Sequence, residues 1–143
     1  MTMQPDRPPP WPLLTAAEPQ LFVADVAAAC GFFTQKLGFS VVFLYGEPPF
    51  YGQVMRDGAR LNLRCVDAPV FDNARRERES LLSATLTVDS VDDIDRLFAE
   101  YASAGVPFHQ TLETQPWGAK DFVVRDPDGN SVQIIHHPPI SDK

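Results

Sequence analysis

The chain has 143 residues, of which 44% are hydrophobic and 22% are charged, as expected for one globular domain. Its 12 basic and 19 acidic residues give a net charge of −7, which argues against nucleic acid as a partner because phosphates need a basic surface. The apolar runs are too short for a transmembrane helix, and no signal peptide opens the chain. We therefore expect a cytoplasmic protein with no membrane partner and with two free cysteines.

The chain begins with a proline-rich arm over residues 1–17, which predicts extended structure rather than core. A first unit follows over residues 18–66. Asp25 can cap a helix that Gly38 ends, and apolar residues recur at helical spacing between them: Val26, Cys30, Phe33 and Leu37. Strands are predicted over 18–24, 39–45, 50–56 and 59–66, with the Asp57-Gly58 turn between the last two.

A charged segment over residues 67–82 predicts a linker, either a solvated loop or a short helix. The second unit, 83–137, repeats the first, with Ser90 and Asp93 forming a capping box. Strands are predicted over 83–88, 121–125 and 130–136, and the structure of 106–119 is the least defined. Residues 138–143 form a tail.

The spacing of caps and turns indicates an internal duplication. Asp25 to Gly38 in the first unit corresponds to Ser90 to Gly105 in the second, and hairpin glycines follow in both. Neither unit alone could bury both a helix face and a sheet face. The sequence therefore predicts an α+β fold of two tandem βαβββ modules. Their strands would form a curved, half-open, mixed or antiparallel barrel-like sheet with the helices outside.

Four strands alternate so that their polar side chains share one face. These polar residues are Glu18 and Gln20; Arg60, Asn62 and Arg64; Ser83, Thr85 and Thr87; and Ser131 and Gln133. If the sheet curls, they line a concave pocket. The alternative is an open sheet with one wet face.

Several motifs resemble the vicinal oxygen chelate superfamily, which includes glyoxalase I, extradiol dioxygenases and the fosfomycin- and bleomycin-resistance proteins. They are V-A-D-V at 23–26, F-F-x-x-K-L-G-F at 32–39, V-x-S-V at 88–91, A-G-V at 104–106 and D-P-D-G-N at 126–130. The stretch Gln115-Pro116-Trp117-Gly118 is similar to a late-chain signature of the bleomycin-resistance proteins. Pro19 resembles the proline at which their N-terminal strand crosses to the partner subunit.

The resemblance implies where a metal would sit. Metalloenzymes of the superfamily bind their metal through four strand residues, usually His, Gln and Glu, and the corresponding positions here are Glu18, Asn62, Ser83 and Gln133. Only one of these is ionisable and none is His, although transition metals need imidazole, thiolate or carboxylate ligands. We therefore expect no metal, no other cofactor and no catalytic residue, and we favour a binding protein over an enzyme.

We predict that the protein is non-catalytic and sequesters an antibiotic-like small molecule. The ligand would lie in a cleft at the interface of a homodimer whose N-terminal strands are exchanged. The predicted ligand-binding residues are Trp117, Phe50, Tyr51, Phe22, Glu18, Asn62, Ser83 and Gln133. Aromatic side chains and acidic surroundings favour a flat, cationic ligand. Arg60 and Arg64 would favour an anionic or carbonyl ligand if they face the pocket, and Trp117 is equally compatible with a structural corner.

Two alternatives stay open from the sequence. One is a metal-dependent glyoxalase- or dioxygenase-type enzyme with atypical ligands, which would need His109 or His137 to replace a missing one. The other is an interaction protein whose cleft is filled by its own side chains.

Overall fold

The computed structural model describes residues 6, 8 and 10–139. Its first βαβββ module comprises β1 (Gln20–Val23), α1 (Val26–Gln35), β2 (Ser40–Tyr45), β3 (Tyr51–Arg56) and β4 (Ala59–Cys65). A short helix, α2 (Asn73–Arg78), lies between the modules. The second module comprises β5 (Ala84–Thr87), α3 (Val91–Ser103), β6 (Phe108–Thr114), β7 (Lys120–Arg125) and β8 (Ser131–His136).

The two modules have the same sheet topology. The strand orders are β1-β4-β3-β2 and β5-β8-β7-β6. The first strand of each sheet pairs in parallel with the last, and the other neighbours are antiparallel. The predicted fold class is confirmed as an α+β structure with two mixed four-stranded sheets, and the described strands do not close into a barrel.

Both long helices begin and end as the sequence predicts. The Asp25 carboxylate accepts a hydrogen bond from the Ala28 amide at 2.9 Å, and the Ser90 hydroxyl accepts one from the Asp93 amide at 3.0 Å. Gly38 follows α1 at φ +75°, where a Cβ would lie 2.6 Å from the Arg56 guanidinium. Within the described residues, no helix is long and apolar enough to cross a membrane.

One hydrophobic core joins the modules. It includes residues of both sheets and both long helices, among them Leu21, Phe33, Leu61, Ile94, Tyr101 and Phe122. Polar contacts reinforce it where the helices end: Arg56 donates to both Glu100 carboxylate oxygens at 2.6 and 3.0 Å, and the Tyr101 hydroxyl donates to the Leu37 carbonyl at 2.8 Å. The apolar faces of both sheets are thus buried in the core, and the polar faces remain available for other contacts.

The edge strand β2 is uncovered. All six of its residues are exposed, and five of them in succession are apolar or aromatic, Val41 to Tyr45. Its sequence register also shifts between Val41 and Phe43, which marks a bulge. An exposed apolar edge strand favours association with another chain.

Candidate ligand-binding site

A hydrogen-bonded polar cluster lies on the polar face of the first sheet. The Gln53 amide donates to Glu18 Oε1 at 2.9 Å and to Asn62 Oδ1 at 2.8 Å, and the Asn62 amide lies 3.4 Å from Glu18 Oε1. Gln53 and Asn62 are buried while Glu18 is exposed. We call Glu18, Gln53 and Asn62 the first polar cluster. It presents the Glu18 carboxylate to the surface, supported from below by two buried, neutral side-chain amides.

Aromatic side chains border this cluster. The rings of Phe43 and Tyr51 lie 5.9 Å apart, and Gln20 donates to the Tyr51 hydroxyl at 3.3 Å. The Arg64 guanidinium lies over the Phe50 ring at 5.2 Å. Strand register places Arg64 opposite Tyr51, so this arginine lies on the polar face.

The second sheet buries a carboxylate on its polar face. Asp121 is only 2% exposed and accepts amide hydrogen bonds from Gln110, Gln115 and Gln133 at 2.7–2.8 Å. An ionised carboxylate can only accept, so each glutamine must turn its NH₂ toward Asp121. The Gln133 carbonyl then accepts from Thr85 at 3.0 Å. Strand alternation placed Gln133 here, but this second polar cluster, centred on Asp121, was not predicted.

The predicted Trp117 lies in a tight turn beside the second polar cluster. The backbone N–H of Gln115 donates to the backbone carbonyl of Ala119 at 2.7 Å. The backbone N–H of Gly118 donates to the backbone carbonyl of Gln115 at 2.9 Å, and Gly118 has φ +96°. Since the Gln115 side chain is bonded to Asp121, the turn is tied to the sheet. Trp117 is 64% exposed, so its indole is available for contact with another molecule.

Phe22 and Ser83 lie together at the junction of the two modules. The Arg76 guanidinium donates to the Ser83 hydroxyl at 2.6 Å and to the Asn130 carbonyl oxygen at 2.8 Å. The Asn130 amide in turn donates to the backbone carbonyl of Phe22 at 3.1 Å. Arg76, in the segment predicted as a charged linker, was not a predicted site residue, because nothing in its local sequence indicates burial.

The eight predicted residues therefore fall into three groups. Glu18, Asn62, Phe50 and Tyr51 are in the first module; Gln133 and Trp117 are in the second; Phe22 and Ser83 are at the junction. Among the residues that the structure describes, no hydrogen bond joins one group to another. One chain presents two separate polar faces rather than one enclosed pocket.

The four superfamily metal positions do not fit a metal here. Of the four, only Glu18 and Asn62 are joined by a side-chain hydrogen bond, and Ser83 accepts a hydrogen bond from a guanidinium, whose positive charge opposes a cation at that hydroxyl. Within residues 6, 8 and 10–139, no three His, Cys, Asp or Glu side chains are grouped as metal ligands. His109 lies 3.0 Å from the Ser80 hydroxyl, outside these groups.

A second buried carboxylate shapes the electrostatics of the junction. Asp126 is 4% exposed and accepts from the backbone amides of Asp128 and Asn130 and from the Asn130 side chain at 2.8–2.9 Å. Burial raises the pKa of Asp126 to about 6, against the lowering effect of these hydrogen bonds. Burial also lowers the pKa of the Arg76 guanidinium.

Comparisons with known proteins agree with this architecture. A sequence profile described as the Glyoxalase/Bleomycin resistance protein/Dioxygenase superfamily matches residues 15–134. The bleomycin resistance protein of Geobacillus stearothermophilus is 32% identical over 129 residues, which span 82% of this chain and 92% of that protein.

Solved structures are similar over most of the chain. The bleomycin-binding protein from bleomycin-producing Streptomyces verticillus, complexed with copper(II)-bleomycin, has a TM-score of 0.66 at 25% identity, covering 90% of this chain and 100% of that one. A glyoxalase/bleomycin resistance protein/dioxygenase from Alicyclobacillus acidocaldarius has a TM-score of 0.69 at 17% identity, covering 87% and 92%. The second likeness supports the fold alone.

Proposed function

The chain belongs to the glyoxalase/bleomycin resistance protein/dioxygenase superfamily, and from this membership we propose that it binds a bleomycin-type antibiotic and protects by sequestration. The observation that carries the proposal is the 32% identity to a bleomycin resistance protein over 82% of this chain and 92% of that protein. The exposed indole beside a fixed polar cluster supports it. Binding alone lowers the free drug concentration, so no bond in the drug has to change.

The two polar faces suit a cleft that a second copy completes. Each face is open in one chain, and Trp117, Phe43 and Tyr45 are exposed to 41–70%. The arm adds Leu13 and Leu14, which are 76% and 101% exposed. In this chain β1 pairs with its own β4, so the exchanged part would be the arm before Pro19. A homodimer would cover these apolar groups and bring the first face of one subunit against the second face of the other.

The chemistry of the faces favours a flat ligand that donates hydrogen bonds. Asp121 fixes the glutamine NH₂ groups, which leaves the carbonyl oxygens of Gln110 and Gln115 as acceptors, and Glu18 adds an exposed carboxylate. The indole and phenol rings supply stacking surface. Arg64 lies over Phe50 and reduces the negative charge at one border. We expect a multi-ring ligand with amine or amide donors, cationic overall.

A metal-dependent glyoxalase or dioxygenase activity has less support. Such an enzyme needs its four ligands around one point, whereas Ser83 is bonded to Arg76 and Gln133 to Asp121. We therefore favour binding without catalysis.

The proposal is tested by titrating the purified, metal-stripped protein with metal-free bleomycin. Trp11→Phe leaves Trp117 as the one tryptophan of the chain, and we expect saturable quenching of its fluorescence at micromolar or tighter affinity. Calorimetry is needed in parallel, because Trp117→Ala removes the reporter as well as the contact. We expect Trp117→Ala to bind about five- to thirtyfold more weakly by calorimetry.

If the protein acts by sequestration, two further results are expected. Drug recovered from the complex must have an unchanged mass, and expression of the protein must raise the bleomycin concentration that a sensitive bacterium survives. A wild-type protein that gives neither heat nor quenching would overturn the antibiotic proposal. A drug recovered with altered mass would replace sequestration by an enzymatic activity.

A further inference from the structure

A cavity lies at the junction of the two modules, away from Trp117. Its volume is about 300 Å³, at the lower end of the range for small-molecule sites. The apolar lining consists of Phe22, Phe71, Leu81 and Leu82, and the polar lining includes Arg76 and Ser83. We call this space the junction cavity. Phe71, Leu81 and Leu82 are 43–50% exposed, so its border is open to solvent.

Arg76 is the unusual group in this cavity. It is 8% exposed, and its guanidinium donates to three neutral oxygens, those of Asn73, Ser83 and Asn130, at 2.6–3.1 Å. The Phe71 ring covers it at 4.8 Å. A buried guanidinium held only by neutral acceptors has no counter-ion in direct contact, which is costly in a low-dielectric environment.

The neighbouring arginines are different. Arg75 pairs with Glu79 at 2.7 Å, and Arg125 pairs with Glu77 at 2.6 Å. Of the described carboxylates, none lies within salt-bridge distance of Arg76. The buried carboxylate of Asp126 is connected to Arg76 through the Asn130 side chain and makes no direct salt bridge with it.

A second guanidinium, that of Arg125, lies nearby, with its charge paired to Glu77. Arg125 donates to the Ser131 hydroxyl at 3.3 Å, and the Ser131 amide donates to the Ser83 hydroxyl at 3.2 Å. The Arg125 Nε is buried and has no hydrogen-bond partner. Two guanidinium groups therefore flank the hydroxyls of Ser83 and Ser131, and of the two only Arg76 lines the cavity.

We propose that the junction cavity is a second ligand site, for a small monocarboxylate with an aromatic or branched apolar body. The carboxylate lies at Arg76 and supplies the counter-ion that the chain does not. The body packs against the side of the Phe22–Phe71 ring pair, whose centroids are 6.1 Å apart, and against Leu81 and Leu82. Charge-assisted hydrogen bonds to guanidinium are the strong kind. The proposal is independent of antibiotic binding at Trp117.

Benzoate, benzamide and benzylamine test the charge requirement, because they share a ring and differ in the head group. Each is titrated into the full chain and followed by amide proton–nitrogen correlation spectra. We expect benzoate to cause saturable shifts of the Phe71, Ser83 and Asn130 amides. Benzamide should bind at least about tenfold more weakly, and benzylamine should not compete.

Matched variants locate the site. Arg76→Gln should weaken benzoate at least about tenfold, while Arg75→Gln, on the same helix but paired with Glu79, should leave binding within about twofold. Leu82→Trp fills the cavity from a residue that is 43% exposed, so it should abolish binding without affecting the fold. That variant keeps the test decisive if Arg76→Gln does not fold.

Three results would overturn the proposal. They are no saturable benzoate shift up to tens of millimolar, equal affinity for benzoate and benzamide, or unchanged benzoate affinity in Leu82→Trp. Bleomycin titration of Leu82→Trp separates the two proposals: retained drug binding with lost benzoate binding supports two sites. Loss of the benzoate site alone would leave the antibiotic proposal standing.

Discussion

The two modules share a strand order and a helix position, yet they treat their carboxylates in opposite ways. In the first module, Glu18 is exposed and lies above the buried side-chain amides of Gln53 and Asn62. In the second, Asp121 is buried beneath three glutamine amides. A buried charge is tolerated only when its hydrogen bonds are complete. The second face is therefore held in one arrangement by its hydrogen bonds, while the first is bordered by exposed aromatic groups.

The hairpin turns repeat this contrast. In the first module Asp57 is exposed in the turn at φ +53°. In the second, Asp126 is buried and closes its turn with three hydrogen bonds. Duplication thus gave two equivalent frameworks, and charge burial made one of them rigid. Substitutions of the carboxylates on the two polar faces should consequently have unequal effects.

The largest effect is expected at Asp121. Asp121→Leu leaves three glutamine amides without their acceptor, and we expect it to lower the free energy of unfolding by about 3 kcal/mol. Glu18→Leu should change it by less than about 1 kcal/mol, since Glu18 is exposed. Urea unfolding followed by circular dichroism measures both. Equal losses in the two variants would contradict the contrast between the modules.

The next effect is a pH dependence from Asp126. Its folded-state pKa is raised to about 6, above the unfolded value of about 3.9, so the folded state binds the proton more tightly. The resulting stability is fully present below about pH 4 and is lost as the pH rises through 6, by at most about 3 kcal/mol.

Asp126→Asn isolates this contribution. The pKa of Glu100 is lowered chiefly by its hydrogen bond with Arg56, so its contribution to stability is lost as the pH falls. This contribution is the same in wild type and in Asp126→Asn and cancels in their difference. The difference in unfolding free energy between wild type and Asp126→Asn should therefore fall from about pH 4 to pH 7. A difference that stays constant over this range would show that Asp126 does not carry the dependence.

A smaller effect concerns the aromatic groups of the two faces. Trp117→Ala and Tyr51→Ala should each weaken bleomycin binding by about 1–2 kcal/mol, or about five- to thirtyfold. If both rings contact the same drug molecule, the double variant should deviate from additivity in a double-mutant cycle measured by calorimetry. Additive losses would place the two rings at separate ligands. Trp117→Ala should leave stability within about 0.5 kcal/mol because the indole is exposed.

The smallest effect is expected for Glu18→Gln. It removes the exposed negative charge but keeps an oxygen acceptor for Gln53, so stability should change by less than about 0.5 kcal/mol. Affinity for a cationic drug should fall only a few-fold and should depend less on salt than in wild type. Glu113→Gln, an exposed control on β6, should change neither quantity. An affinity that rises in Glu18→Gln would indicate an anionic ligand.

Much of the fold was predictable because local signals repeat. Helix caps at Asp25 and Ser90 and the glycines that end both helices are short-range features that the structure reproduces. The polar groups of the candidate site were predictable only by the sheet face on which they lie. Alternation placed Gln133 on the polar side, but it could not show that Gln133, Gln110 and Gln115 meet at Asp121, because these residues come from two strands and a turn.

Arg76 shows the same limit more sharply. Its neighbours Arg75 and Arg78 have similar sequence surroundings and are exposed, whereas Arg76 is buried at the junction. Burial depends on which side of a short helix contacts the rest of the molecule, and a six-residue helix has too little periodicity to indicate it.

By itself, the sequence determined the α+β class, the duplicated βαβββ plan, the helix ends and the polar faces, since each rests on contacts between residues close in the chain or on strand alternation. The tertiary structure decided which polar groups meet. It separated the eight predicted ligand residues into three groups, buried Asp121 and Asp126, and left Arg76 without a carboxylate. These outcomes depend on packing between residues as far apart as Phe22 and Asn130, and no local pattern encodes such a pairing.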